Sequence, residues 1–411
     1  MKGIAYLSQK LTKKRSRTLL RYDFYEQKKK APDLGISTPE GLEWFTSING
    51  WCTKAVDILA DRLQFDKFED DTFNFTGMFA LNNPDIFYDD AILSALINSC
   101  SFVYVSKGSV IGGKKQMRFQ VIDGSNATGI IDDFTKLMTE GYAVLDRDEY
   151  ENVKTYAYFT PGRTEVYEAG VKEPIAVETF DSKYCALVPI IYKPDAKRPF
   201  GHSRVSRACM GYANSAMRTV KRMEIASEFY SFPQKYATGL SQDTEQMDTW
   251  KATMSAMLTF TKDEDGDKPT LGQFQVGSMG PHVEQLKSIA SLFAGETGLT
   301  LDDLGFVTSN PSSAEAIKAS HEGLRLMAAK AQRCFSVGFK NVGYIGACMR
   351  DDVNYHREEV FKTKVMWRPV FEPDAAMLSL IGDGVLKLNQ AMETNSPYID
   401  ADKMRRLTGI E

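Results

Sequence analysis

The sequence predicts a mixed α+β protein. Short aromatic and β-branched runs separated by Gly, Asp and Pro fill residues 100–193, and long amphipathic helical patterns follow from residue 203 onward. The length of 411 residues allows two or three packed units. The composition, 43% hydrophobic and 25% charged, is that of an ordinary globular protein.

Charge and cysteine usage exclude several classes of protein. The net charge of -4 argues against a protein that coats nucleic acid electrostatically. The first residues, "MKGIAYLSQKL", are too polar for a signal peptide, and no window approaches the ~18 apolar residues of a spanning helix. The six cysteines lie far apart without metal-site spacing, and we expect reduced core thiols: Cys52, Cys100, Cys185, Cys209, Cys334 and Cys348.

The N-terminal part changes character at Pro32. Residues 10–30 hold nine Lys and Arg against two acidic residues. Two interpretations stay open: a solvated basic arm, or a segment that contacts nucleic acid or an acidic neighbouring subunit. After Pro32, apolar residues from Leu42 to Leu63 recur at helical spacing, which predicts a buried helix.

The β-rich part is expected to form an antiparallel meander or a small sandwich, and it contains a false phosphate-loop motif. Gly108 to Lys114 fits GxxxxGK, but Lys115 stands where a phosphate loop needs Ser or Thr. A strand-like run, "QMRFQVID", follows where a helix is required. We therefore expect a hairpin turn at Gly112-Gly113 and no ATPase.

A long helix is predicted from Ser203 to Phe232, where Pro233 stops it. Its apolar stripe runs from Val205 to Met223. The opposite side is basic and consists of Arg204, Arg207, Arg218 and Arg222, with Lys221 nearby. It is either a face exposed to solvent or a surface that contacts a partner. A second helix is predicted to begin near Pro281.

Residues 233–280 form a separate module with an acidic turn, "KDEDGDKP". Its acidic residues are Asp263, Glu264, Asp265 and Asp267. The turn resembles the start of a calcium loop, but Gly266 comes too early and Phe274 stands where a bidentate Glu is needed. An exposed acidic loop is the better interpretation.

A stretch without cations precedes the third long helix. The thirty residues from Ser288 to Ile317 contain no Lys, Arg or His. The loop within it offers polar groups at Thr300, Asp302, Asp303, Thr308, Ser309 and Asn310. A capping box of Ser312 and Glu315 then predicts one continuous helix to Arg350.

No catalytic, metal-binding or cofactor-binding constellation is recognisable. His321-Glu322 is half of a zinc-protease HExxH motif, but Arg325 takes the second histidine position. The four histidines are distant in sequence. We therefore expect neither an enzyme nor a bound cofactor or metal.

Several stretches together resemble the portal proteins of tailed bacteriophages, the head–tail connector rings, especially those of long-tailed phages. They are "LGISTPEGLEWFTSINGWCTKAVDILADRLQFDKF", "ALVPIIYKPD" with "PFGHSRVSR", "ASEFYSFPQKYATG", "NPSSAEAIKASHEGLRLMAAKAQRCF" and "MWRPVFEPDAAML". Each pattern is loose, and their order and spacing make the match specific. One departure is a short C-terminal end, since only 44 residues follow Trp367.

The resemblance implies an α+β portal fold with a β-rich wing, long stem helices, a clip module and a short helical C-terminal crown. It implies this division: basic N-terminal arm 1–31, wing 32–202, stem helix 203–232, clip 233–280, stem helix 281–297, tunnel loop 298–311, long wing helix and strand 312–369, and crown 370–411.

The function implied is that of a structural subunit in a homo-oligomeric ring, twelve-fold in most of the family, at one vertex of the capsid. Double-stranded DNA passes through its channel during packaging and ejection. Terminase and later head-completion or adaptor proteins dock at the clip, capsid and scaffold proteins surround the wing and crown, and no membrane is involved. The expected location is the virion, with assembly in the host cytoplasm. The alternatives are a nucleic-acid-processing enzyme with an unrecognised site and another phage connector or tail ring protein.

Overall fold

The computed structural model describes residues 2–32, 34, 38, 42–111, 114–231, 235–238, 270–273, 275, 277–306, 314–371, 375–391, 397 and 399–408. The helices in these ranges are α1 Gly3–Tyr25, α2 Trp51–Ala60, α3 Phe75–Ala80, α4 Pro84–Asn98, α5 Arg207–Ser231, α6 Gly280–Thr297, α7 Ala314–Ser320, α8 Glu322–Asp351, α9 Arg357–Val360, α10 Ala375–Ala391 and α11 Ala401–Thr408. The strands are β1 Phe65–Glu69, β2 Cys100–Ile111, β3 Lys114–Ile122, β4 Ala127–Ile131, β5 Met138–Arg147, β6 Val153–Thr160, β7 Arg163–Glu168, β8 Ala176–Thr179, β9 Leu187–Ile191, β10 Lys235–Thr238, β11 Thr270–Gln273 and β12 Lys364–Trp367.

The predicted β-rich part is confirmed as two antiparallel sheets. Strands β4 to β8 follow one another as a five-stranded meander, and β3, β2 and β9 form a three-stranded sheet. Two further pairs, β1 with β12 and β10 with β11, join segments distant in sequence. Strand β3 begins at Lys114, which pairs with Ile111 of β2. Since a strand follows the GxxxxGK motif, the motif is not a phosphate loop.

The core lies between α2, α4, α8 and the three-stranded sheet, and it is rich in aromatic rings. Phe65 stacks on Tyr88 with ring centroids 3.8 Å apart, and Phe339 of α8 meets Tyr88 edge-on at 4.8 Å. Helix α8 approaches this core closely because of two glycines. A β-carbon at Gly343 would lie 2.7 Å from the ring of Phe75, and one at Gly338 would lie 2.8 Å from Ile190.

The basic N-terminal segment is not a solvated arm, and that interpretation is wrong for the described residues. It forms α1, whose Leu7 and Leu11 are buried against Tyr142 and Val144 of the meander. The carboxylate of Glu140 fixes the start of α1 by accepting hydrogen bonds from the backbone N–H groups of residues 2 and 3 at 2.8 and 2.6 Å. Apolar contacts and a helix-end carboxylate thus hold α1 in place.

Two predicted helices differ from those in the structure. Of the helix expected from Leu42 to Leu63, only α2 is present, because residues 42–50 form turns and irregular chain. This irregular segment contacts α5 through Ser47. Its hydroxyl donates to the carbonyl oxygen of Met217 at 2.5 Å. The long helix expected to Arg350 is divided at His321 into α7 and α8. Ser312 of the predicted capping box lies outside the described residues.

Candidate nucleic-acid interface and stem junction

Helices α5 and α6, the predicted stem helices, lie side by side and antiparallel. The hydroxyl of Ser206, just before α5, donates to the carboxylate of Glu296 near the end of α6 at 3.0 Å. At the other end of the helices, β10 and β11 pair from Lys235 with Gln273 to Thr238 with Thr270. The second stem helix, α6, agrees with the predicted range 281–297 to within one residue at its start and at its end. The segment between α5 and α6 is therefore closed by a strand pair.

The chain leaves α6 through a glycine that the geometry requires. Gly298 adopts a left-handed conformation with φ of 67°, and its N–H bonds to the carbonyl of Ala294, which ends the helix. Leu299 and Leu304 then turn inward and are buried. The ring of Phe306 lies 6.3 Å from that of Trp51 in α2. Residues 298–306 thus form a compact turn against the body of the protein.

The three described polar residues of the predicted DNA-channel loop have different environments. The N–H of Thr300 donates to the Asp303 carboxylate at 2.8 Å, and the N–H of Asp303 donates to the Thr300 hydroxyl at 3.2 Å. His321 lies 3.3 Å from the same carboxylate. Although burial acts to raise it, these hydrogen bonds lower the pKa of Asp303 below its ordinary value. Only Asp302 is exposed, and its carboxylate has no hydrogen-bond partner among the described residues, although its backbone carbonyl accepts from the N–H of Gly305 at 3.0 Å.

The remaining predicted contact residues are not in the described part of the chain. Thr308, Ser309 and Asn310 of the loop lie outside it. The same is true of the acidic clip residues, Asp263, Glu264, Asp265 and Asp267. Their roles stay predictions from the sequence.

The predicted basic face of the first stem helix requires two corrections. Helix α5 begins at Arg207 rather than at residue 203, so Arg204 precedes it and is 7% exposed. Lys221 is also buried, at 6% exposed. The exposed stripe is therefore Arg207, Arg218 and Arg222. These three lie within one side of the helix at 100° per residue.

Arg204 instead joins three elements at the base of the stem. Its Nε donates to the carbonyl oxygen of Ala55 in α2 at 2.9 Å, and its Nη2 donates to the carbonyl oxygen of Thr297, the last residue of α6. Its Nη1 lies 3.3 Å from the sulfur of Met327 in α8. A positive charge is favourable at a helix C-terminus, where carbonyl groups lack partners within the helix. Arg204 is therefore a structural residue.

A basic cleft of about 630 Å³ lies where α1 meets the entrance to α5, and the sequence did not predict it. We call it the basic cleft and define it by its cations: Lys10, Lys14, Arg17, Arg21, Arg198 and Arg207. Four of these belong to the basic run 10–30, so the excess of cations was the available signal. The sequence alone does not show that the fold places Arg198 and Arg207 beside these four cations.

The described residues contain no arrangement typical of a catalytic or metal site. They hold no group of three His, Cys, Asp or Glu side chains that could bind a metal ion. The described cysteines are free thiols, and burial raises the pKa of each of them. Thiols with a raised pKa are poor nucleophiles at neutral pH. No described helix is long and apolar enough to cross a bilayer.

Two curated proteins are similar in sequence to the chain. No family model matches the chain. It is 21% identical over 320 residues to the portal protein of Mycobacterium phage L5 and, with the same identity and length, to the portal protein of Mycobacterium phage D29. Each match covers 73% of this chain and 65% of the relative, so the chain spans about two thirds of the length of these curated relatives.

Solved structures similar to the chain come from gene transfer agent particles. The neck of a native gene transfer agent particle, computed with C12 symmetry, matches with a TM-score of 0.48 and 11% identity over 88% of this chain and 90% of that one. The neck of the empty particle, computed with C6 symmetry, matches with a TM-score of 0.43 at the same identity. The resemblance to phage portal proteins is confirmed by the sequence relatives, and the expectation of a structural protein agrees with their names.

Proposed function

We propose that the chain is the subunit of a homo-oligomeric portal ring at one capsid vertex, and that double-stranded DNA passes through its channel during packaging and ejection. The observation that carries this proposal is the match of 73% of the chain to two phage portal proteins. The structural observations below support it independently.

The stem helices carry apolar side chains that a ring would cover. Phe229 and Tyr230 of α5 are 37% and 57% exposed, and Val283 and Leu292 of α6 are 48% and 56% exposed. Exposed apolar residues on adjacent helices are typical of a surface that another subunit covers. A ring subunit contacts its two neighbours through different faces, so a surface of this kind is required on the stem.

The division of the chain follows that of a portal subunit in this proposal. Residues 32–202 and 312–369 form the wing, α5 and α6 form the stem, and residues 233–280 form the clip, whose strand pair closes its base. Residues 298–311 form the tunnel loop, of which Asp302 is the described residue free to face DNA. Residues 370–411, which include α10 and α11, form a short crown.

The absence of cations in the tunnel loop suits a channel in which DNA slides. Lys and Arg side chains that neutralise phosphates bind duplex DNA strongly whatever its sequence. A ring of cationic loops around one duplex would multiply that binding and oppose movement. A loop with the exposed carboxylate of Asp302 and no cation would contact the duplex without holding it.

The partners follow from the same proposal. Terminase docks at the clip, where Asp263, Glu264 and Asp265 supply an acidic face, and head-completion or adaptor proteins replace it after packaging. Capsid and scaffold proteins surround the wing and crown. The protein then resides at the portal vertex of the virion and assembles in the host cytoplasm.

Native mass spectrometry of the purified chain tests the proposal. Twelve copies of a 46.1 kDa subunit give a particle of about 550 kDa, which we expect without added nucleotide or metal. A protein that stays monomeric over a range of concentration and salt would contradict the proposed function.

A further inference from the structure

The basic cleft holds more positive charge than the chain itself neutralises. Among the described residues, none of its six cations has a carboxylate within 4.0 Å, and Glu296 is the only acidic residue in its lining. The hydroxyl of Ser206 already donates to Glu296. The cleft therefore presents an unbalanced positive charge to whatever occupies it.

The packing around the cleft holds several of these cations in place. The Nζ of Lys10 donates to the carbonyl oxygen of Gly129 at 2.7 Å, and Nη1 of Arg21 donates to that of Asn98 at 2.9 Å. The Nζ of Lys14 lies 5.5 Å from the ring centroid of Phe102. Burial lowers the pKa of Lys14 and lowers that of Arg21 to about 10, so a negative partner would stabilise their charged forms. The cleft is a preformed site for anions.

The same chain carries an exposed acidic surface at the far end of α4. We call it the acidic face and define it by Asp61, Asp85, Asp89 and Asp90, all exposed and without a cation partner among the described residues. Burial, and then repulsion from the other three carboxylates, raises the pKa of Asp89. Asp85 and Asp89 stand one turn apart on α4, and Asp61 follows directly after α2, which packs against α4.

Exposed apolar side chains accompany the acidic face. Leu81 is 59% exposed and Ile86 is 63% exposed; Ile86 follows Asp85 directly, and Leu81 precedes it by four residues. Protein–protein contact surfaces combine an apolar centre with a polar rim. Asp85 stands near the start of α4 and Asn98 at its end, about 20 Å apart along the helix axis. The two surfaces therefore cannot meet within one subunit.

We propose that the acidic face of one copy of this chain occupies the basic cleft of the next copy, so that the two surfaces form the contact between neighbouring wings. This inference rests on the proposed ring. A ring with cyclic symmetry joins unlike faces of neighbouring subunits, which is what a basic surface and an acidic surface on opposite ends of α4 provide. Complementary charge also sets the register in which such faces meet.

A second copy of the chain suits the cleft better than the phosphates of a duplex. Contact with a duplex needs cations that project towards successive phosphates, whereas Lys10, Lys14 and Arg21 are recessed and bonded to the walls of the cleft. The chain also supplies a matching set of carboxylates, and its net charge is -4. We therefore assign the cleft to subunit contact.

Charge reversal on each side tests the contact. Arg17→Glu and Asp89→Arg should each weaken assembly at least about tenfold, measured as the protein concentration at which half of the subunits are in rings, because like charges then face each other. The double variant Arg17→Glu/Asp89→Arg restores opposite charges at every contact, so assembly should return to within about threefold of the original. Lys13→Glu is the matched control, since Lys13 is exposed on α1 but does not line the cleft.

A cysteine pair gives a measurement that does not depend on weakened assembly. Arg17→Cys/Asp89→Cys should form disulfides between subunits under mild oxidation, giving a ladder of multiples on a denaturing gel. The native thiols interfere little because five of the six are buried. Each single-cysteine variant should give no ladder.

The outcomes separate this inference from the proposed function. Rings that form equally well in both charge-reversed variants, with no ladder from the cysteine pair, would place the contact elsewhere and leave the ring itself intact. Normal assembly of Arg17→Glu with weakened binding of duplex DNA would show a phosphate site and overturn the inference. A wild-type chain that forms no ring would overturn the proposed function and, with it, this contact.

Discussion

The guanidinium of Arg204 is hydrogen-bonded to the carbonyl oxygen of Thr297, the last residue of the second stem helix. The same side chain bonds the carbonyl oxygen of Ala55 in α2. Helix α2 and the end of α6 are thus joined through one buried cation. In the proposed ring, this junction would fix the angle between stem and wing.

Replacing Arg204 should destabilise the subunit. Arg204→Met keeps an unbranched side chain but leaves two buried carbonyl groups without this donor, and we expect the free energy of unfolding to fall by about 2–4 kcal/mol. Arg207→Met is the control, because Arg207 is exposed, and it should change stability by less than about 0.5 kcal/mol. Denaturant titration of both variants measures the difference. Equal, small effects would show that the Arg204 junction contributes little to stability.

Two glycines of α8 should respond in opposite ways to alanine. At Gly343 a β-carbon would lie 2.7 Å from the ring of Phe75, so Gly343→Ala should cost about 1–3 kcal/mol of unfolding free energy. Nothing lies within 4 Å of a β-carbon at Gly323, so Gly323→Ala should stabilise the protein by about 0.5–1 kcal/mol. Thermal unfolding of the two variants tests the close approach of α8 to the core. A higher unfolding temperature for both variants would contradict the close approach of α8 to the core.

The carboxylate of Glu140 should make the docking of α1 depend on pH. Burial acts to raise its pKa, but hydrogen bonds from Tyr158 and from the backbone of residues 2 and 3 lower it below the ordinary value of 4.5. A lowered pKa means that the stabilisation is present above that ordinary value and is lost as pH falls through the folded-state pKa. Glu140→Gln should therefore cost about 1–3 kcal/mol at neutral pH and little at pH values below both pKa values.

Unfolding free energies of the Glu140 variant at several pH values provide the check. Glu149→Gln, an exposed position on the same meander, should match the original protein throughout. A cost that stays the same down to strongly acidic pH would mean that the charge of Glu140 is not what holds α1.

A cation in the tunnel loop should slow DNA. Asp302→Lys changes the exposed carboxylate and leaves the bonds between Thr300 and Asp303 intact, so stability should change by no more than about 0.5 kcal/mol. Each phosphate that a new lysine neutralises adds about −0.9 to the slope of log affinity against log salt. We expect slower packaging at low salt and recovery at higher salt. Asp133→Lys, an exposed site on the wing, should package normally, and equal rates for both variants would indicate that the loop does not meet DNA.

The sequence predicted those helices whose ends and buried sides are determined by residues close to one another in the chain. Helix α6 was predicted to begin near Pro281, and Pro281 does stand in its first turn, while Gly298 adopts the left-handed conformation that ends it. The apolar stripe of α8 was also predictable, since Leu324, Phe335 and Ile345 are all fully buried.

The sequence did not reveal features that depend on distant parts of the chain. Helix α4 is mostly buried from Ala91 to its end, so that half of its pattern lacks the polar face that indicates a helix. Arg204 was placed on the basic side of the first long helix from its spacing of 100° per residue, and only tertiary structure brings Ala55 and Thr297 to it. The basic cleft likewise needs α1 to pack beside residues 198 and 207.

A cryo-EM class average of the purified protein, viewed down its symmetry axis, shows whether the chain forms a channel. We expect a closed ring with an open channel wide enough for duplex DNA, with α5 and α6 beside the channel and the proposed wing on the outside. A filament, a closed disc without a channel or a lone subunit would contradict this expectation.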